Sequence, residues 1–315
     1  MIFYINIVGV FVMKERLGSA YIIFAACLWG MLGIFVREIN VFGLSSMQIV
    51  ALRALGATII LFLFMVIFKR DKLKIKPQDI WVFLGTGIGS MVFFNFCYFG
   101  SINRTSLAVA AALLYTAPAF VAVLARIILK EKVTTSQIIS IIIVIIGCAL
   151  ASGIVTHGFN IDLLGFLLGL GSGLGYAMYS IFGKIAIKKG YSDETITLYT
   201  FFIAMIATGW TLGDDSLAEI DYNYGFVLSV LGLIVFSTVM AYLFYTKGLS
   251  MVKASKAAVL ATFEPVVATL IGICLYHEKL TWDICLGVAL IIFNHWGRNI
   301  VGFVVSSLVQ RFLIN

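Results

Sequence analysis

Apolar residues run in long blocks along this chain, each closed by a few polar or charged residues. A block of about twenty apolar residues crosses a bilayer as an α-helix. Ten such spans are predicted: 18–36, 45–68, 79–101, 105–128, 135–155, 163–186, 193–213, 224–248, 254–276 and 281–304. Their connections are short, so neighbouring helices are expected to pack antiparallel. The longest are the basic stretch from Lys69 to Lys76 and the acidic stretch from Asp214 to Asp221. The alternating pattern of a membrane β-barrel is absent. Residues 1–12 are apolar but too short to span, and positive charge follows them rather than preceding them, the reverse of a signal peptide. Met13 then reads as the natural start, or residues 1–12 as an interfacial extension. Residues 1–16 are expected to form a cytoplasmic extension and 305–315 a cytoplasmic tail.

The pattern repeats. Ala110 to Phe120 contains Pro118, and an apolar run then leads to Glu131-Lys132-Val133-Thr134. Lys256 to Ala268 contains Pro265, and its run leads to Glu278-Lys279-Leu280-Thr281. Two of the chain's 3 prolines thus lie 147 residues apart, and the same offset relates Gly85 to Gly232, Phe35 to Phe182 and Ser90 to Ser237. This register predicts two units, 17–155 and 163–304, each of five helices. Five is odd, so the second unit must enter the membrane opposite to the first. The expected fold is all-α and polytopic, with ten transmembrane helices in two inverted repeats.

Composition agrees with this class. The chain is 62% hydrophobic and only 12% charged, with a mean hydropathy of +1.07. An average soluble domain is about 25% charged. The formal charge of +7 is a topology signal. With the N-terminus inside, 18 of the 22 Lys and Arg fall at cytoplasmic ends, three (Arg37, Arg104, Lys279) fall outside, and Arg53 lies within a span. That asymmetry places both termini in the cytoplasm, with the plasma membrane as the expected location. It also suits anionic lipid and gives no reason to invoke nucleic acid. The five cysteines all sit in apolar runs and offer neither a disulfide framework nor metal spacing. The three histidines are scattered, so no metal or other cofactor is expected.

Candidate chemistry is confined to a few residues. Glu264 is deep in the ninth span, and its register twin is Ala117. An intramembrane carboxylate is expensive and marks a functional site by default. It either holds a cationic substrate group or carries a coupling proton, with a structural hydrogen bond as the plain alternative. Arg53, deep in the second span, either contacts an anionic substrate group or ties to a neighbouring acceptor. Trp29 and Tyr176 are register twins, each followed by a small residue, and with Asn95, Tyr98, Tyr242 and Tyr245 they suit the wall of a cavity for an amphipathic organic molecule. Core packing is the rival reading for each. Pro118 and Pro265 each remove a backbone donor and are expected to act as helix hinges, or as static kinks. Glu131 and Glu278 are expected to be structural, each favouring the dipole of the helix that follows it, with Thr134 and Thr281 as N-caps.

Leu28-Trp29-Gly30, Arg53, the Glu264-Pro265 step and the paired Glu131 and Glu278 resemble the EamA family of the drug/metabolite transporter superfamily. The resemblance covers residues 17–300. Where the family usually has Leu-Gly-Glu, this chain has Leu129-Lys130-Glu131 and Tyr276-His277-Glu278. The resemblance implies ten helices in two inverted repeats, a central cavity, and carriage of amino acids or related small metabolites, often as export. A monomeric secondary transporter follows, working by alternating access without a nucleotide motif. The rivals are a membrane channel and a non-transporting sensor or scaffold. An enzyme is not expected, because no reactive constellation lies within the spans.

Overall fold

The computed structural model describes residues 2–157, 162–213 and 223–295, with side chains from Val12 onward. The acidic Asp214–Asp221 loop, the end of the tenth span and the tail at 305–315 lie outside the described residues. Within them every regular element is helical. Eight helical units are long and apolar enough to cross a membrane, and Thr135–Ala151 and Trp282–His295 are apolar but shorter. The fifth unit stops early because Gly153, at φ +72°, turns the chain just past Ala151.

In order, the helices are α1 (Ile2–Gly30), α2 (Leu32–Asn40), α3 (Ser46–Phe68), α4 (Ile80–Leu84), α5 (Phe93–Arg104), α6 (Leu107–Leu114), α7 (Ala117–Ile127), α8 (Thr135–Ala151), α9 (Ile154–His157), α10 (Leu163–Lys188), α11 (Asp193–Thr208), α12 (Tyr224–Ile234), α13 (Ala241–Met251), α14 (Ala254–Ala261), α15 (Glu264–Tyr276) and α16 (Trp282–His295). Two π-helical stretches, Gly85–Val92 and Val235–Met240, continue α4 into α5 and α12 into α13. Several starts follow from short-range chemistry. Ser45 with Gln48, and Thr134 with Gln137, form reciprocal capping boxes, while Asp162, Ser192 and Asn223 each accept a backbone N–H two or three residues into their helix.

The offset of 147 is visible in the geometry. Helices α6 and α14 each span eight residues, and at the offset of 147 their bounds coincide. Lys130 (φ 56°) and His277 (φ 53°) both take the left-handed conformation that ends a helix, and the next N–H bonds six residues back: Glu131 to the Ala125 carbonyl, Glu278 to that of Gly272. Packing across the halves is reciprocal too. α1 lies on α13, and its counterpart α10 lies on α5. The Phe35 ring covers Gly232 and the Phe182 ring covers Gly85, so a Cβ on either glycine would meet the ring. At the α1–α13 crossing a Cβ on Gly248 would lie 2.6 Å from the Gly18 carbonyl; at the equivalent crossing Ser101 donates to the Gly165 carbonyl at 2.9 Å. Lipid supplies no hydrophobic drive between helices, so such small-residue contacts hold the bundle.

The prolines break the helices rather than bend them. Tyr115 and Thr116 separate α6 from α7, and Thr262 and Phe263 separate α14 from α15. Pro118 and Pro265 then sit in the first turn of the following helix, where no donor is needed. The turns close with three-residue bonds, Thr116 N–H to the Leu113 carbonyl at 3.1 Å and Phe263 N–H to that of Leu260 at 3.2 Å. If these joints move during transport, Pro118→Ala and Pro265→Ala each lower the liposome flux about tenfold while the purified protein stays monodisperse. Unchanged flux in both variants assigns the joints to static packing.

Candidate functional site

The two broken helices face each other at their joints. Glu264 is the first residue of α15, at the positive end of that helix. Glu264 is half-buried, and its carboxyl lies within hydrogen-bonding reach of the Tyr115 hydroxyl at the opposite joint. Arg53 on α3 is buried within electrostatic reach of this carboxyl, and its Nε donates to the Thr238 hydroxyl at 3.1 Å. Thr238 can accept because its own proton goes to the Leu233 carbonyl (2.8 Å), a bond that the π-helical stretch places within reach.

Aromatic rings surround the carboxyl. Trp29 lies against Tyr176 (centroids 6.0 Å apart), Tyr242 (5.2 Å) and Tyr245 (5.1 Å). Phe94 stacks on Tyr98 at 5.7 Å and meets Tyr176 edge-on at 6.1 Å. The Tyr98, Tyr176 and Tyr242 hydroxyls all stand within electrostatic reach of the Glu264 carboxyl. Gly30 makes the close approach possible. A Cβ there would lie 2.7 Å from the Val267 Cβ and 2.9 Å from the Glu264 carbonyl, so α1 rests directly on the backbone of α15. A cavity of about 10 Å³, room for one water, lies between Tyr115, Tyr176, Pro118, Ala258 and Thr262. A larger cavity of about 380 Å³ lies elsewhere, beside Glu15, Gln137, Lys256, Asn294 and His295.

Of the residues singled out in the sequence, Glu264, Arg53, Trp29, Tyr98, Tyr176 and Tyr242 converge here. Two spend their polar atoms away from the carboxyl. Asn95 is buried and spends its amide on the Met91 carbonyl of its own helix (2.6 Å). Tyr245 is 1% exposed, and its hydroxyl meets that of Ser180 at 2.6 Å. Tyr115 and Phe94 belong to the cluster and carry no sequence signal beyond residue type; the twin of Tyr115 is Thr262, which turns back onto the Val259 carbonyl.

The paired acids sit differently from expectation. Glu131 does not cap the helix after it, because Gln137 already closes the Thr134 box. Its carboxylate instead accepts from the N–H groups of Ala254 and Ser255 at the start of α14. Glu278 forms an ion pair with Arg37, and Thr281 donates to Asp283.

Comparison with known proteins decides the family. Two stretches of the chain, 16–153 and 163–294, match the model of the EamA-like transporter family. The chain belongs to the EamA-like transporter family. An Archaeoglobus fulgidus protein named as an uncharacterized transporter is 30% identical over 286 residues, covering 88% of this chain and 94% of its own. Mouse solute carrier family 35 member G1 is 23% identical over 298 residues, 90% and 78% of the respective chains. A crystal structure with 16% sequence identity superposes with a TM-score of 0.74 and covers 95% of this chain, a likeness of fold. This EamA-like chain is therefore a multi-pass membrane protein of a transporter family.

Proposed function

We propose that this EamA-like protein is a secondary carrier of small organic metabolites, amino acids or related compounds, that exports them across the plasma membrane by alternating access. The observation that carries this reading is Glu264, half-buried at a helix joint among aromatic residues, with Arg53 within electrostatic reach of its carboxyl. A carboxyl and a guanidinium inside one amphipathic wall suit a small molecule bearing both an amine and an acid. A pair of broken helices meeting at mid-bundle is also where inverted-repeat carriers place their substrates. On this reading the chain crosses the membrane ten times, 17–155 and 163–304 are inverted units, and no second copy is needed. A thermal-shift screen of the purified protein against metabolites, followed by liposome flux of the hits, tests it. Saturable flux of a stabilising compound supports the carrier; ion currents far above carrier turnover, or no flux for any stabilising compound, removes it.

The orientation has its own test. In a cysteine-free variant, cysteine at Lys279 reacts with an impermeant maleimide on intact cells, and cysteine at Lys74 reacts only after lysis. Both side chains are exposed. The opposite pattern overturns the placement of both termini in the cytoplasm and the inversion of the repeats.

A further inference from the structure

Glu131 and Glu278 are register twins on matching left-handed turns, yet their carboxylates face different partners. That of Glu131 accepts from the N–H of Ala254 (3.0 Å), the N–H of Ser255 (3.4 Å) and the Ser255 hydroxyl (3.2 Å). It thus closes the N-terminus of α14, where orphan donors and the helix dipole both favour an anion. The twins of Ala254 and Ser255 are Leu107 and Ala108, at the start of α6. Glu278 is not on them; it pairs with Arg37, whose guanidinium also stands 4.2 Å over the Tyr276 ring. At α6 the Ser106 hydroxyl covers the Val109 N–H at 3.2 Å, whereas its twin Lys253 makes no such cap.

The packing differs in the same sense. Helix α7 lies against α14, but the twin pair, α15 and α6, shares at most marginal contact. Ala254 is fully buried, and its twin Leu107 is 60% exposed. Lys184, the twin of Arg37, seals the closed end further by donating to the Leu249 and Val252 carbonyls, both at 2.6 Å. The molecule is latched at the Glu131 end and unlatched at the Glu278 end.

We propose that Glu131 and Glu278 are alternate latches. In the opposite state Glu278 leaves Arg37 and caps α6 through the N–H groups of Leu107 and Ala108, while Glu131 releases α14. This rests on the alternating-access reading above. Exchanging the conformations of two equivalent halves converts one state into the other. Glu278 trades Arg37 for the α6 donors, and Glu131 trades the α14 donors for Lys184, the twin of Arg37 within its electrostatic reach, so the two states stay close in free energy.

The test uses the full chain with its native cysteines replaced, reconstituted in liposomes. Lys130→Cys with Lys253→Cys reports the latched end, and His277→Cys with Leu107→Cys reports the other. Each pair is crosslinked with a short bifunctional thiol reagent. In Glu131→Gln the first crosslink falls and the second rises, each at least about fivefold; in Glu278→Gln the second falls by a similar factor and the first holds or rises. A folding defect lowers both crosslinks together. That result, or no response in either variant, overturns the latches. Crosslinks that exchange in a protein carrying no metabolite leave the latches standing and sink the carrier reading instead.

Discussion

Glu264→Gln reduces transport by about one to two orders of magnitude and leaves the protein folded. The substitution keeps the shape and the acceptor for the Tyr115 hydroxyl while removing the charge. A hydrogen bond to a charged group contributes about 1.5–3 kcal/mol in all, which is roughly 10- to 150-fold in an equilibrium constant. The side chain stands alone in this role, since its register twin is Ala117. The manner of the loss separates two chemistries. If the carboxylate holds a substrate cation, affinity falls with the rate. If it carries a coupling proton, flux driven by a pH gradient disappears while binding and substrate exchange persist. Measuring binding by calorimetry and flux with and without a pH gradient distinguishes them. Wild-type rate, affinity and pH dependence in Glu264→Gln would leave only the hydrogen bond to Tyr115.

Gly30→Val is expected to be as damaging without touching any charged group. Its added atoms have nowhere to go: even a bare Cβ would meet the Glu264 carbonyl and the Val267 Cβ inside 3 Å. One of those obstacles is backbone, so α1 or α15 must shift. Overpacking of this kind costs about 1–3 kcal/mol, and here the displaced backbone is the one that aims Glu264. Flux close to background is expected, with a melting temperature several degrees below wild type. Gly33→Val is the control. A Cβ at Gly33 meets nothing within 4 Å, so that variant should melt and transport as wild type does. A Gly30→Val protein with normal flux would mean that the contact with α15 is slack.

Eight of the spans were legible because each is a local property: twenty apolar residues need no knowledge of the rest of the chain. The same holds for the Thr134 cap, which is closed by Gln137 three residues on. Register equivalence was legible as well, but equivalence is not contact. The sequence pairs Phe35 with Phe182 and Gly85 with Gly232; the fold places each phenylalanine on the other pair's glycine. Glu131 shows the cost of local reasoning. The helix beginning at Thr135 is the nearest dipole along the chain, yet the carboxylate faces Ala254, 123 residues away. The prolines point to the joints but not to their form, because a missing donor is tolerated equally by a bend and by a fresh helix start. Tyr115 carries no signal for a different reason. A neutral tyrosine in an apolar block is ordinary, and only the carboxyl across the joint gives its hydroxyl a purpose.

The π-helical stretches before α5 and α13 carry one further consequence. A π turn holds an extra residue, so everything downstream is rotated by about 100° relative to an uninterrupted α-helix. Beyond Val235–Met240 that rotation decides which face Tyr242 presents, and beyond Gly85–Val92 it does the same for Phe94 and Tyr98. Each aromatic wall is therefore set by the count of residues upstream as much as by their kind. Removing a single residue from Val235–Met240 would leave a regular apolar helix of nearly the same length with Tyr242 aimed elsewhere. A one-codon deletion can thus re-aim the aromatic cluster without any substitution among its residues.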